Sequence, residues 1–533
     1  MAGQHDEAST RNGLRLSRDF PCDLFPTDLP LNVRSQRRIG LEGFTLLNPQ
    51  SLSPSNDEGG GSESRFGEIH RAEESAGLNA FQDRQLAGDL GAPEAVPATG
   101  RRVQEDAEDC YRRGLAQAQA GDHQGAVVEF SAALAGDPRN GQYFLERAYS
   151  YRCLGYTYLA IDDFEQAGIH GAGWAAAHNG KGMVRREKGD LTGALCEFDA
   201  AIRHDARFAA AYSNRGLCHL ERYDYLKAVA DFTLSIDLAG EQVVTLFHRA
   251  TALCRLKRHA EAEADLCRTA ELAPEEASIL NRRGVAREAQ GKLALAMEDY
   301  DRAIELDPTF APSYANRARL RQRCEDYTGA IADYTRELEF EPGSWQAYGR
   351  RGQCYSRLGE PRLAVLDLNA ALAREDGKAY LFMERARCFG ALKNFSRAIA
   401  DCDEALLRAP RCVAALVERA RWRERLRDND GALADLERAI DLDGDHARAH
   451  HLRGRLLLRQ GCLDAAIRDF TREIALDAAE AWAYMGRGDC FARLGETASA
   501  TEDYRRAAEL FADSGAEGDR ASALQRMQQV LVA

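Results

Sequence analysis

The most regular chemistry in this sequence is carried by arginine and aspartate. Arg215, Arg283, Arg317, Arg351 and Arg453 are each followed sixteen residues later by an aspartate: Asp231, Asp299, Asp333, Asp367 and Asp469. A guanidinium meets a carboxylate through two parallel N–H···O bonds, so these types at a fixed spacing predict ion pairs. The same relation, Lys or Arg followed by Asp or Glu, occurs twelve times between Arg113 and Asp503. A ladder of pairs is expected, within a unit or between neighbours, that sets register and specificity. A second arginine set is confined to the later half: Arg319, Arg323, Arg357, Arg387, Arg421, Arg425, Arg455 and Arg459. Residues four apart, such as Arg455 and Arg459, share a helix face. Two readings stand for this stripe. It is a site for an acidic or phosphorylated peptide, with Arg319, Arg387, Arg421 and Arg455 as the leading contacts. Or it is a solvated face neutralised by Asp326, Glu360, Asp428 and Glu496.

Other groupings point to no reaction. Asn179-Gly180-Lys181-Gly182 has part of the character of a phosphate loop, but lacks the preceding glycine and the Ser or Thr. His446 and His450 are four apart, with His451 beside them, yet no third metal ligand of matching character follows. They read as exposed imidazoles. Gly168, Gly171 and Gly173 read as a turn. No HExxH or GxSxG occurs. The expectation is a non-catalytic protein with no cofactor and no metal.

The elements that carry these residues repeat. From Ala107 through Ser514 the chain has a period of 34 residues without insertion or deletion. The twelve units are 107–140, 141–174, 175–208, 209–242, 243–276, 277–310, 311–344, 345–378, 379–412, 413–446, 447–480 and 481–514. Position 8 of each unit is Gly or Ala and position 20 is Ala in all twelve; position 24 is mostly aromatic or Leu. The arginine of each pair is position 7 and its acid is position 23. Each unit holds two helical stretches with apolar residues three, four and seven apart. Small residues at 8 and 20 let two helices approach closely. A Gly-Asp break near position 15, as in Gly189-Asp190, ends the first helix. Asp-Pro at 31–32, as in Asp307-Pro308, ends the second. One such hairpin cannot bury its own faces, so neighbours must stack. Residues 519–532, with Leu524, Met527 and Leu531, read as a helix within a capping segment, 515–533, started by Asp519 or Ser522.

The stretch Tyr314 … Ala318 … Ala330 … Tyr334 … Pro342 resembles the signature of the tetratricopeptide repeat. The resemblance covers 107–514. It implies an all-α, right-handed superhelical solenoid of antiparallel helix pairs, with a concave groove lined by the first helices. It further implies ligand contacts at positions 2, 5, 9, 12 and 13. On those positions the first half offers Tyr149, Met183 and Phe247, an apolar surface for an extended segment or for packing. The pattern of the family's chaperone-tail clamp is not assembled here, since no unit has Asn at position 9. The asparagine ladder of the sugar-transferase arrays is also absent, with only Asn214 and Asn316 at position 6.

Composition agrees with a binding protein. The 533 residues carry a formal net charge of -14, which argues against a general nucleic-acid binder. No run of about 18 apolar residues predicts a membrane span. The 14 cysteines include no CxxC pair, and four of them (Cys218, Cys354, Cys388, Cys490) share position 10 as small buried residues. A reducing, cytoplasmic location is expected. Residues 1–106 hold 11 Lys or Arg against 17 Asp or Glu and lack periodicity, so an acidic disordered tail is expected there. Within it, Phe20-Pro21-Cys22-Asp23-Leu24-Phe25-Pro26 is either a few apolar residues or a linear docking motif. The expected function is an interaction scaffold or adaptor that takes an extended peptide or helix of a partner protein in its groove. Alternatives are a co-chaperone adaptor and a targeting or regulatory subunit of an enzyme or ciliary transport complex.

Overall fold

A computed structural model describes residues 106–532. The expected acidic tail and its Phe-Pro motif lie outside the described residues. Among the described residues there are helices and no strands. The 34-residue period is kept throughout: the first unit gives helices Ala107–Gln119 and His123–Gly136, and the eighth gives Trp345–Arg357 and Pro361–Leu372. Twelve such pairs are followed by Glu517–Val532. The chain divides into two compact blocks, one ending at Asp299 and one beginning at Tyr300.

Within each block, the apolar positions explain the pairing. In the first, Phe130, Phe164, Phe198 and Phe232 are fully buried at position 24. A side-chain carbon added at Gly182 would lie 2.6 Å from the Phe198 ring, and one at Gly216 would lie 2.8 Å from Phe232. Position 8 is therefore small because the aromatic ring of the second helix occupies its space. In the second block Phe470 is clasped from both sides. Added carbons would meet it at 3.2 Å from Gly454 of its own unit and at 2.5 Å from Gly486 of the next. The four position-10 cysteines are buried.

The turn between the helices of a pair is the same in every unit. Position 15 has positive φ in all twelve: glycine in seven, and Tyr223, Lys257, Glu325, Lys393 and Arg427 in five. The next residue's N–H reaches back five residues, as Asp190 to Arg185 O at 3.0 Å and Asp224 to His219 O at 2.8 Å. This is the left-handed ending that satisfies the last carbonyls of a helix. In four units an aspartate at position 16 then caps the second helix, as where Asp190 Oδ1 accepts from Gly193 N at 2.8 Å and Asp326 from Gly329 N at 2.9 Å. The five non-glycine residues sit at φ of 59–66°, where a Cβ is crowded by about 1–2 kcal/mol. Glycine relieves that crowding but frees the unfolded chain. Lys257→Gly and Lys393→Gly are each expected to stabilise their block by about 0.5–1 kcal/mol. A urea midpoint unchanged or lowered by either substitution would show that the turn is not strained.

The final helix corrects two details of the sequence reading. It begins at Glu517, so Asp519 and Ser522 lie inside it and do not cap it. Ala523, Met527 and Val530 pack toward Tyr504 and Phe511, whereas Leu524 and Leu531 face out.

Candidate interaction surface

The Arg–Asp pairs lie between the two helices of one unit. Arg351 Nε and Nη2 donate to Asp367 Oδ2 and Oδ1, both at 2.8 Å. Arg215 holds Asp231 at 2.9 and 2.7 Å, Arg317 holds Asp333 at 3.0 and 2.6 Å, and Arg453 holds Asp469 at 2.8 and 2.7 Å. Arg283 Nη2 reaches Asp299 at 2.6 Å. The aspartates are buried, and each guanidinium covers its partner from the solvent side. Lys181, from the glycine-lysine motif, departs from the pattern: it bonds Glu165 at 3.1 Å and stands 3.9 Å from Glu197, which His178 holds at 2.7 Å. Burial pushes the Asp163 carboxyl up, against the pull of Arg147.

Sequence inspection missed a third bond that many of these guanidiniums make. The remaining nitrogen, Nη1, crosses to position 25 of the preceding unit. Arg351 reaches Thr335 Oγ1 at 3.0 Å, Arg215 reaches Asp199 at 2.6 Å, Arg317 reaches Asp301 at 2.7 Å and Arg385 reaches Asn369 at 2.6 Å. One arginine thus ties three helices from two units. In three of the pairs a second arginine joins: Arg287 Nη1 lies 2.9 Å from Asp299, Arg321 Nη1 lies 2.8 Å from Asp333 and Arg423 Nη1 lies 2.8 Å from Asp435.

The arginine stripe of the second block is closely matched with glutamate. Arg387 Nη1 bonds Glu384 at 2.9 Å, and Arg421 lies 3.4 Å from Glu418 with its guanidinium 4.5 Å from the Trp422 ring centre. Glu424 accepts from Arg455 at 2.6 Å and from Arg459 at 2.7 Å. Arg323, Arg357, Arg425 and Arg459 are exposed and Arg319 is partly buried. The acids that meet the stripe are these three glutamates of the first helices. Asp326 and Asp428, named from the sequence, instead cap second helices.

The first block is more polar at Tyr149 and Met183 than the sequence suggests. Asn179 Nδ2 points at Met183 Sδ at 3.7 Å, and Asn179 Oδ1 accepts from Asn214 at 2.9 Å. Tyr149 packs edge-on to Phe164 at 5.1 Å, and burial lifts its hydroxyl to about 12. Phe247 is buried among Ala250, Leu266 and Ile279, so it belongs to the core.

The histidine group is also otherwise engaged. His450 is buried and bonds Asp469 at 2.9 Å and Gly444 O at 3.1 Å, contrary to the expectation of an exposed ring. His451 meets Glu473 at 3.0 Å, and His446 accepts from Ala449 N at 3.2 Å. Among the described residues, no group of three or more His, Cys, Asp or Glu is placed to hold a metal ion. Gly171 and Gly173 have φ of 89° and 94° and form a unit junction.

With these helix pairs in view, the comparisons define the class. Models of the tetratricopeptide repeat match residues 277–310, 299–332, 179–241 and, in overlapping pairs of units, 383–517. The chain is a tetratricopeptide-repeat protein, an all-α solenoid of a type that serves as a protein-interaction scaffold. No curated protein matches it. Among solved structures it is similar to a tetratricopeptide repeat protein from Parabacteroides merdae, at 20% identity over 44% of this chain and 92% of that one, with a TM-score of 0.37. It is also similar to the APC/C hetero-tetramer Cut9–Hcn1, at 15% identity over 74% and 96%, TM-score 0.39. Yeast Tom70 shares 14% identity over 80% and 96%, TM-score 0.35. No helix among the described residues is long and apolar enough to cross a membrane.

Proposed function

We propose that this protein is a non-catalytic adaptor that holds an extended segment of a partner protein against its first helices, and that the second block selects acidic or phosphorylated segments. The observation that supports the selection is the charge excess on one face. Positions 6, 9, 12 and 13 of units 345–378 through 447–480 carry Arg350, Arg357, Arg387, Arg421, Arg425, Arg455 and Arg459, against Glu384, Glu418 and Glu424. The glutamates hold part of the stripe in place. They leave a net positive face in an acidic protein, the arrangement that steers an acidic ligand. Arginine suits both carboxylate and phosphate through its paired donors.

The test is capture of partners from lysate by the full chain and by a variant carrying Arg387→Glu, Arg421→Glu and Arg455→Glu. Partners rich in Asp, Glu or phosphate are expected to bind the parent, to elute at raised salt and to be lost from the variant. An unchanged partner set would make the stripe a solvated face and leave the scaffold role to the first block.

A further inference from the structure

We propose that two copies of this chain pair through the outer face of the second helix of unit 209–242. The proposal stands apart from the adaptor reading, which concerns the first helices. Tyr225–Ala239 buries Ala228, Asp231, Phe232 and Ser235 against its own block. Its outer side carries Leu226, Ala230, Leu234 and Leu238, all exposed and each four residues from the next. Leu226 is 69% and Leu234 44% exposed. Tyr223, in the turn just before the helix, is exposed too and extends the stripe. Side chains four apart form one continuous ridge along a helix, the element by which helices pack. A contiguous apolar ridge facing water marks an interaction surface more often than a scattered leucine does.

The other units show how this array solvates the same face. The four residues are positions 18, 22, 26 and 30. Position 26 is arginine in six units, at Arg268, Arg302, Arg336, Arg438, Arg472 and Arg506. Each of the eight units after 209–242 has at least one charged residue among the four positions. Leu363 and Leu366, another exposed pair, are bracketed by Arg362 and Arg374 at positions 18 and 30. In 209–242 the four positions carry three leucines, an alanine and no charge.

The occupant is a second copy because the ridge complements itself. Laid antiparallel about a two-fold axis near the helix midpoint, two such ridges set Ala230 of each copy against Leu234 of the other, small against large, and Leu226 against Leu238. Cys196 and Ala264, the exposed position-22 residues of the units on either side, are small, so a second helix can lie along the stripe. The charges beside the ridge, Lys227 and Asp237, cancel. Two copies that each carry a net charge of -14 therefore meet on a neutral patch, where their mutual repulsion is least. The exposed parts of these five side chains amount to roughly 500 Å² per copy, so a paired face buries about 1,000 Å², the lower bound of a specific interface. The pairing is accordingly reversible, with a dissociation constant in the micromolar range.

Sedimentation of the full chain between about 1 and about 100 μM is the test. The average mass is expected to rise with concentration from that of one chain towards that of two, and to do so equally at raised salt, since the contact is apolar. Leu234→Arg supplies the residue that six other units carry at this position, so the urea midpoint should not move. It should weaken the pairing at least about tenfold. Leu226→Lys, at the other end of the ridge, should act likewise. Leu407→Arg makes the same change at an exposed leucine of the second block and should leave the pairing intact. A mass of one chain at every concentration would overturn the proposal and leave the ridge to another occupant, such as the segment 20–26. Pairing that survives both Leu234→Arg and Leu226→Lys, or that Leu407→Arg weakens as much, would overturn it as well.

Discussion

Arg351→Met is expected to destabilise the second block by about 3–5 kcal/mol. The substitution keeps an apolar stem of similar reach, so packing beside Tyr348 is largely preserved. What it removes is every charged donor to Asp367: Nε at 2.8 Å and Nη2 at 2.8 Å. Asp367 is 7% exposed, so water cannot replace them without opening the helix pair. The lost bond to Thr335 also unties the preceding unit. Asp367→Leu alone leaves the arginine without its acid and is expected to cost somewhat less, since Arg351 is the more exposed partner. The double variant should be far less damaging than the singles together, because a well-packed apolar pair replaces a buried ionic one at little net cost. The pair Arg351–Asp367 is a cleaner choice than Arg317–Asp333, whose aspartate is shared with Arg321. Urea unfolding of the four proteins closes the cycle. Additive losses would mean that the two residues do not act through each other.

How much of this was legible in the sequence follows from what recurs. Positions 7 and 23 repeat by residue type, so their pairing could be expected from spacing alone. Position 25 repeats only by chemistry. Ser131, Asp199, Thr233, Asp301, Thr335 and Asn369 share little except an acceptor oxygen, and each meets the arginine of the next unit. A consensus of types hides such a position. The turn shows the same limit. Gly189 announces a left-handed residue, but Tyr223 and Lys257 do not, and only the backbone reveals that they adopt its conformation. At the surface, a row of arginines is visible in the sequence, while its neutralisation is not. Glu424 meets Arg455 and Arg459 from the neighbouring unit, a distance of 31 and 35 residues along the chain.

The second large effect concerns Glu337 and pH. Position 27 is Ala, Ser or Thr in ten units and Glu in two, at Glu337 and Glu473. Glu473 is compensated by His451 at 3.0 Å. Glu337 is 3% exposed, takes one bond from Ser344 at 2.9 Å on Oε1, and has no partner on Oε2. Burial raises its carboxyl from 4.5 to about 7. The folded value lies above the unfolded one, so the protonated acid is the form that folding favours. Its contribution is fully present below about pH 4.5 and is lost as pH rises through 7. At about 1.36 kcal/mol per unit, the shift from 4.5 to about 7 makes the loss approach about 3 kcal/mol by pH 8. Glu337→Gln keeps the volume and cannot ionise. It should match the parent near pH 4.5 and exceed it by about that amount at pH 8. The quantity to follow is the difference between variant and parent, read from urea unfolding at each pH, so that contributions common to both cancel. A difference that does not change with pH would mean that Glu337 finds a charge partner or water in solution, and that its carboxyl is ionised throughout.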